Sequence, residues 1–365
     1  MSNFDPRPKS QPWAASNNSL RTNVVLASVL PAIISICIAY LYQLDSGIGL
    51  IAVFLPLQLI SASLVGFRRF GKKGIGDASL LVMTIFLSTS VIVLLLSVLG
   101  SVIFKGYPAL SLHFFSQNNV YISTTTSLDF GGVGHAIVGT LLVVLLTTLV
   151  AVPLGIAMAV FLTQSQSKLR APVRVFTQAL SGLPSVVSGL FILSIMPALN
   201  LERSGLTGAL ALFPLMLPTV ARVAEEALRL VPQDLRMAAL ALGAPNYKAF
   251  FRVILPAAKS GIVTALLLGL ARVVGETAPL ILTLNANNST NVDPFNGGIA
   301  SLPTYIYSFI STKYQSSQER AWGAALVLLM LVGLLFGLAR VLSRKKKMKS
   351  NAKTLSKHSS KKGKN

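Results

Sequence analysis

Apolar runs long enough to cross a lipid bilayer recur along this chain, and they restrict its fold more than any other feature. About 20 helical residues cross the hydrocarbon core. Near-continuous apolar runs cover roughly 24–42, 48–66, 79–103, 135–162, 175–199, 204–222, 259–284 and 321–342. The expected fold is all-α, a polytopic helical membrane protein with about eight spans joined mostly by short connections. Composition agrees: 53% of the 365 residues are hydrophobic and 12% charged, about half the charged fraction of a soluble domain. The first run is followed by "AYLYQLD" and lacks a small-residue cleavage site, so a retained span is expected, not a signal peptide.

A net charge of +21 invites a nucleic-acid reading, but the positions of the charges argue against it. Lys and Arg cluster at the ends of apolar runs, in "FRRFGKK" (67–73), "SKLRAPVR" (167–174) and "RKKKMK" (344–349). That pattern sets membrane orientation, with basic loops kept on the cytoplasmic side. An even number of spans puts both termini on one side, and a cytoplasmic placement leaves only Lys105, Arg203, Lys313 and Arg320 of the 32 basic residues outside. The expected order is a cytoplasmic segment 1–23, two N-terminal spans in 24–66, a transmembrane domain in 79–342, and a basic cytoplasmic tail in 343–365. That tail has too little apolar surface to fold on its own. The single Cys37 permits no intrachain disulfide framework.

Residues 225–256 form the longest cytoplasmic stretch. Pro232, Gln233 and Asp234 open a helix, because an acidic residue in the first turn favours the helix dipole. Leu235, Ala238, Ala239 and Leu242 recur at helical spacing. Gly243 stands where a helix ends in the left-handed conformation. A second helix is expected from about Pro245 to Ile254, ended before Pro256. The pair is apolar on one side and basic on the other, at Lys248 and Arg252. It is either an ordinary interfacial helix pair or the dock for a cytoplasmic partner.

The run 261–284 carries an Arg272 and a Glu276 near its middle. On a helical wheel Ala265, Gly269, Arg272, Glu276, Pro279 and Thr283 share one side. Val263, Leu267, Leu270, Val274 and Ile281 occupy the other. Four residues apart, Arg272 and Glu276 are close enough to pair, and Pro279 predicts a kink beyond them. Charges at mid-membrane cost about 2.5–3.5 kcal/mol each and normally face a cavity or one another. The pair is therefore either a structural lock or an anion site on a path across the membrane. Thr177, Ser181, Ser185 and Ser188 line one side of "TQALSGLPSVVSGLF" (177–191). "LFPLMLPTVAR" (212–222) carries two prolines and ends in Arg222. Broken helices, hydroxyls and two guanidiniums suit an oxyanion.

The long cytoplasmic stretch resembles the coupling loop of ABC importer permeases. Ala238, Ala239, Gly243, Leu255 and Pro256 match that pattern in register, while Met237 replaces its Glu and Val253 its Ile. "ARVVGETAPLILT", "SGLPSVVSGLF", "EEALRLVPQ" and "GGVGHAIVGTLL" (131–142) together resemble the A-type permease family of the bacterial phosphate ABC importer, the Pst system. The resemblance covers about 79 to 342. It implies a six-span core of a type I ABC importer permease, paired with a homologous C-type permease in the cytoplasmic (inner) membrane. It further implies two ATPase subunits inside, docked at residues 233–255, and an extracytoplasmic phosphate-binding protein that delivers phosphate. The two additional N-terminal spans depart from it. Close alternatives are the same architecture for sulfate, molybdate or a phosphonate, and an ion-gradient-driven secondary transporter, which would have no need of the cytoplasmic helix pair.

No ATP site is expected in this chain. "GFRRFGKK" (66–73) puts Lys73 where a phosphate-binding loop needs Ser or Thr. His113, His135 and His358 form no metal-ligand spacing. The Asn288-Ser289-Thr290 sequon has no meaning in a bacterial cell. No nucleophile–base pair, cofactor site or metal site is expected, so ATP hydrolysis would belong to a separate subunit.

Overall fold

The computed structural model describes residues 28–41 and 47–343. The expected segment 1–23 and the basic tail from residue 344 lie outside the described residues. Among the described residues there is no β-strand. This fits a chain of apolar runs, since a helix bonds its backbone polar groups internally and lipid offers them no other partner. Among the described residues five helices are long and apolar enough to cross a membrane, or seven if each of two bent pairs is one span. The shorter apolar helix α1 (Val29–Leu41) lies in the first expected run. The fold is all-α and polytopic.

The chain divides into two compact units, residues 1–100 and 101–365. The division falls inside the third expected span, so most of that helix belongs with the N-terminal unit and not with the domain expected over 79–342. In the first unit, α2 (Gly47–Gly106) is two helices run together at Gly71, whose φ of 64° turns the chain. They fold back on each other. Ser63 and Ser79 hydroxyls lie 3.1 Å apart, and Ala62, Ala78 and Val82 are buried between the arms.

The second unit is built on α4 (Gly134–Gln164) and α7 (Gly205–Arg229), after a short α3 (Leu112–Ser116). Val143, Ala151 and Ala159 of α4 meet Leu212, Met216 and Val220 of α7 in one apolar core. Thr147 Oγ1 reaches across to the carbonyl of Ala209 at 3.3 Å. Between these two helices the span expected over 175–199 is broken. α5 (Arg170–Ser181) and α6 (Ser185–Ile195) meet at 103°. Gly182 and Pro184 sit in the gap, where a residue without Cβ and one without an N–H end one helix and start the next.

α7 corrects two expectations. It stays helical through Pro214 and Pro218, and it runs to Arg229 instead of ending at Arg222. Packing on several sides holds it in line through the prolines. Beyond Ala221, buried Ala224 and Leu228 continue the core-facing stripe, so the helix does not stop where the first arginine appears.

The expected span 259–284 is also not one helix. α10 (Lys259–Val274) ends at Gly275, and α11 (Ala278–Thr283) begins after it. The break falls between Arg272 and Glu276, not at Pro279. Pro279 lies in the first turn of α11, where its missing N–H costs nothing. The small face of α10 is a packing face: Ala265 is fully buried, and a Cβ on Gly269 would lie 2.7 Å from Val220 Cγ2. Thr283 is buried too, and its carbonyl accepts from Thr207 Oγ1 at 2.9 Å.

α12 (Leu302–Ile310) and α13 (Gln315–Ser343) close the unit. Arg320, fully buried, donates to the carbonyls of Thr126 (3.2 Å) and Ser127, and Ser317 donates to the carbonyl of Thr124 at 2.7 Å. These bonds tie the polar loop 123–127 to the start of α13.

Candidate functional site: a cationic cavity and an exposed helical elbow

A cavity of about 780 Å³ opens among α4, α5, α7 and α10. Thr177, Gln178 and Ser181 line it from α5, with Arg174 one turn earlier. Thr219, Arg222, Glu225, Glu226 and Arg229 line it from α7, and Arg272 enters from the last turn of α10. Four guanidiniums thus stand against two carboxylates. Excess positive charge in a concave wall concentrates anions.

The hydroxyls are oriented by their own helix. Thr177 Oγ1 donates to the Val173 carbonyl at 2.8 Å, and Ser181 Oγ to the Thr177 carbonyl at 2.9 Å. Their protons are committed to the backbone, leaving the oxygens free to accept. Glu225 is shared. Its Oε1 accepts from Arg174 Nη2 at 2.9 Å and from Arg229 Nη2 at 2.6 Å. Among the described residues, neither Arg222 nor Arg272 has an ion-pair partner.

The structure brings together only part of what helical spacing grouped. Thr177, Ser181, Arg222 and Arg272 face one cavity, whereas Ser185, Ser188 and Glu276 are not among its lining residues. Ser188 is buried and donates to the Ala211 carbonyl at 2.6 Å, because the bend after Ser181 turns α6 onto an earlier stretch of α7, away from the cavity. Arg272 and Glu276 form no ion pair among the described residues; with α10 ended at Val274 they are no longer stacked on successive turns. Arg174, Glu225, Glu226 and Arg229 were missed as lining residues. Arg174 reads as an orientation signal, and the other three lie beyond the expected end of α7. The i, i+4 spacing of Glu225 and Arg229 was the available clue.

A second feature lies beyond α7. α8 (Gln233–Ala241) ends in a Schellman motif: Gly243 has φ 80°, its N–H meets the Leu240 carbonyl at 2.9 Å, and Ala244 N–H meets that of Ala239 at 3.1 Å. α9 (Asn246–Ala257) follows and bends by 67° into α10. Contrary to expectation α9 does not stop before Pro256. It widens to a π-helical stretch at Phe250–Ile254, which gives room for a ring that would clash with the carbonyl of an ordinary turn. Ala239, Ala249, Phe250 and Ile254 are buried in the elbow. Asp234, Leu235, Met237, Ala238, Leu242, Gly243, Lys248 and Pro256 are exposed, with Val253 and Leu255 half-buried. Leu235, Met237 and Leu242 of α8 are exposed, as are Tyr247 and Phe251 of α9. Contiguous apolar exposure of this kind marks a contact surface.

Among the described residues no group of His, Cys, Asp and Glu side chains could hold a metal ion. A polytopic helical chain with a guanidinium-lined cavity and an exposed helical elbow belongs to the class of membrane transport components. The model for the "Binding-protein-dependent transport system inner membrane component" family matches residues 151–348, more than half of the chain. The chain belongs to that family, whose members are multi-pass proteins of the inner membrane. It is 45% identical over 204 residues to the phosphate transport system permease protein PstA 1 of Mycobacterium tuberculosis (strain CDC 1551 / Oshkosh), covering 55% of this chain and 67% of that protein. To the PstA permease of Pasteurella multocida (strain Pm70) it is 37% identical over 246 residues, covering 67% of this chain and 86% of that protein. It is also similar to a chain of the MetNI methionine ABC transporter in an inward-facing conformation, with TM-score 0.46 and 19% identity, covering 58% of this chain and 93% of that one.

Proposed function

We propose that this chain is the permease subunit of an ATP-driven importer that moves inorganic phosphate across the cytoplasmic membrane. The observation that carries the reading is the convergence of Arg222 and Arg272, from two different helices, on one cavity that also holds the Thr177 and Ser181 oxygens. Guanidiniums bind oxyanions through paired N–H donors. At neutral pH phosphate keeps one or two protons, so it needs acceptors as well as donors. The hydroxyl oxygens and the Glu226 carboxylate, which has no ion pair among the described residues, serve that need. Fully deprotonated sulfate has no use for them. The relatives named as phosphate permeases support the same substrate.

The basic loops and the elbow face the cytoplasm, as do both termini. Leu235, Met237, Leu242, Gly243 and their neighbours dock one of two separate ATPase subunits, and nucleotide hydrolysis takes place there. A homologous C-type permease completes the pathway, and an extracytoplasmic phosphate-binding protein supplies it.

The test is uptake of labelled phosphate by proteoliposomes holding the purified complex. Arg272→Gln is expected to cut uptake at least roughly tenfold while the subunits still co-purify. Wild-type uptake in that variant, or uptake that persists without any ATPase, would refute the reading.

A further inference from the structure

Glu225 has no place in that account, yet it is the one carboxylate that the cavity wall holds between two arginines. Its side chain is 14% exposed, against 40% for Arg174 and 50% for Arg229. Both ion pairs use the same oxygen, Oε1; the pair with Arg174 joins α5 to α7 where both helices line the cavity, and the pair with Arg229 lies within α7. A carboxylate and a phosphate offer a guanidinium the same thing, anionic oxygens at hydrogen-bond distance. An oxyanion that took the Nη2 donors of Arg174 and Arg229 would have to displace Glu225 Oε1 from them, and Glu225 is covalently tethered and always present.

We propose that Glu225 is a built-in counter-anion that competes with phosphate for Arg174 and Arg229. The inference rests on the phosphate reading and deepens it by naming a residue that sets how firmly the cavity retains its cargo. Arg222 and Arg272, free of ion pairs among the described residues, take the anion first. Arg174 and Arg229 are withheld from it. With only two of four guanidiniums available the anion is held loosely and leaves toward the cytoplasm. If all four were free, the site would be a trap, because tight binding of the cargo after translocation slows release. The chemistry does not require Glu225 to move far: exchange of a hydrogen-bonded carboxylate for a phosphate oxygen conserves the number of charge-assisted bonds at each arginine. Glu226, one residue on and exposed, has no such hold on the arginines among the described residues.

The bland reading is a strut between α5 and α7, and the two make opposite demands on variants. Glu225→Gln keeps the size and a hydrogen-bond acceptor but removes the charge. Arg229→Gln keeps the carboxylate and removes one of the guanidiniums it occupies. The measurement is initial uptake of labelled phosphate by proteoliposomes of the full complex, with unlabelled phosphate inside at graded concentrations and each variant normalised to its own rate without internal phosphate. In Glu225→Gln the internal concentration that halves uptake should fall roughly fivefold, the order expected for one charge pair in a partly hydrated wall. In Arg229→Gln it should stay level or rise. If both variants show the wild-type value, or both shift in the same downward direction, the counter-anion role is overturned. If Glu225→Gln does not assemble, Arg229→Gln decides alone, and a fall in its half-inhibitory concentration refutes the proposal. Failure of the underlying phosphate reading looks different: wild-type vesicles would then take up no phosphate, with or without internal anion, and both ideas would fall together.

Discussion

Ser188 Oγ donates to the backbone carbonyl of Ala211 across 2.6 Å, joining α6 to α7 in a region with no exposure to solvent. The bond is local to the bend at Gly182–Pro184, which turns α6 onto α7 and away from the cavity. Hydrogen bonds between membrane helices are worth about 0.6 kcal/mol on average and at most about 1.7. Ser188→Ala should therefore lower stability by about 1 kcal/mol, measured by thermal or denaturant unfolding in detergent. Its half-saturating phosphate concentration for uptake should stay that of the wild type, in contrast to substitutions at Arg272.

Gly243 carries the Schellman turn between α8 and α9. A Cβ there would meet nothing within 4 Å, so a substitution is penalised by backbone conformation alone. Gly243→Ala should cost about 1–2 kcal/mol of the turn's stability, the price of a left-handed residue with a side chain. Asn tolerates that region better. Co-purification of the ATPase should accordingly be weakened in Gly243→Ala, lost in Gly243→Pro, and largely kept in Gly243→Asn. Equal capture by all three would show that the turn does not shape the docking surface.

Arg272 and Glu276, although four residues apart, are separated by the end of α10 at Gly275. The two charges should then behave independently. A hydrogen bond to a charged group contributes about 1.5–3 kcal/mol, so Arg272→Gln should cut uptake by roughly tenfold to a hundredfold or more. Glu276→Gln should cut it much less, and the double variant should equal Arg272→Gln multiplied by that small factor. A double variant that restores uptake would mean that the two side chains pair during transport.

In the loop after α11, Asp293 accepts from the Asn296 side chain at 2.9 Å and from the Phe295 N–H at 2.9 Å. The Asn296 side-chain bond first, then the Phe295 bond, hold its carboxyl below the ordinary value of 3.8. A depressed carboxyl pKa stabilises the folded turn above the unfolded value and loses that support as pH falls through the folded one. Hydrogen exchange of the Phe295 amide should stay protected through pH 3.8 and open only at more acid pH. In Asp293→Asn the protection should be weaker and should not change across that range.

The apolar runs alone determined the class of fold, because a run of lipid-soluble residues about 20 long leaves the backbone no partner but its own helix. Gly243 was equally legible. Its need for positive φ is a property of one residue at the end of one helix, and the motif around it is built from near neighbours in the chain. The membership of the cavity was not. Helical spacing placed Arg272 beside Glu276 and Ser188 beside Ser181, but spacing holds only while a helix stays unbroken, and both groupings straddle a break. Where α5 stops and α6 turns depends on what α7 offers them, namely a carbonyl at Ala211 and a packed stripe that continues to Leu228. Likewise Arg174 donates to Glu225, 51 positions away, only because two helices converge there. Local periodicity sets which residues lie on a face, and contacts between distant segments decide what that face meets.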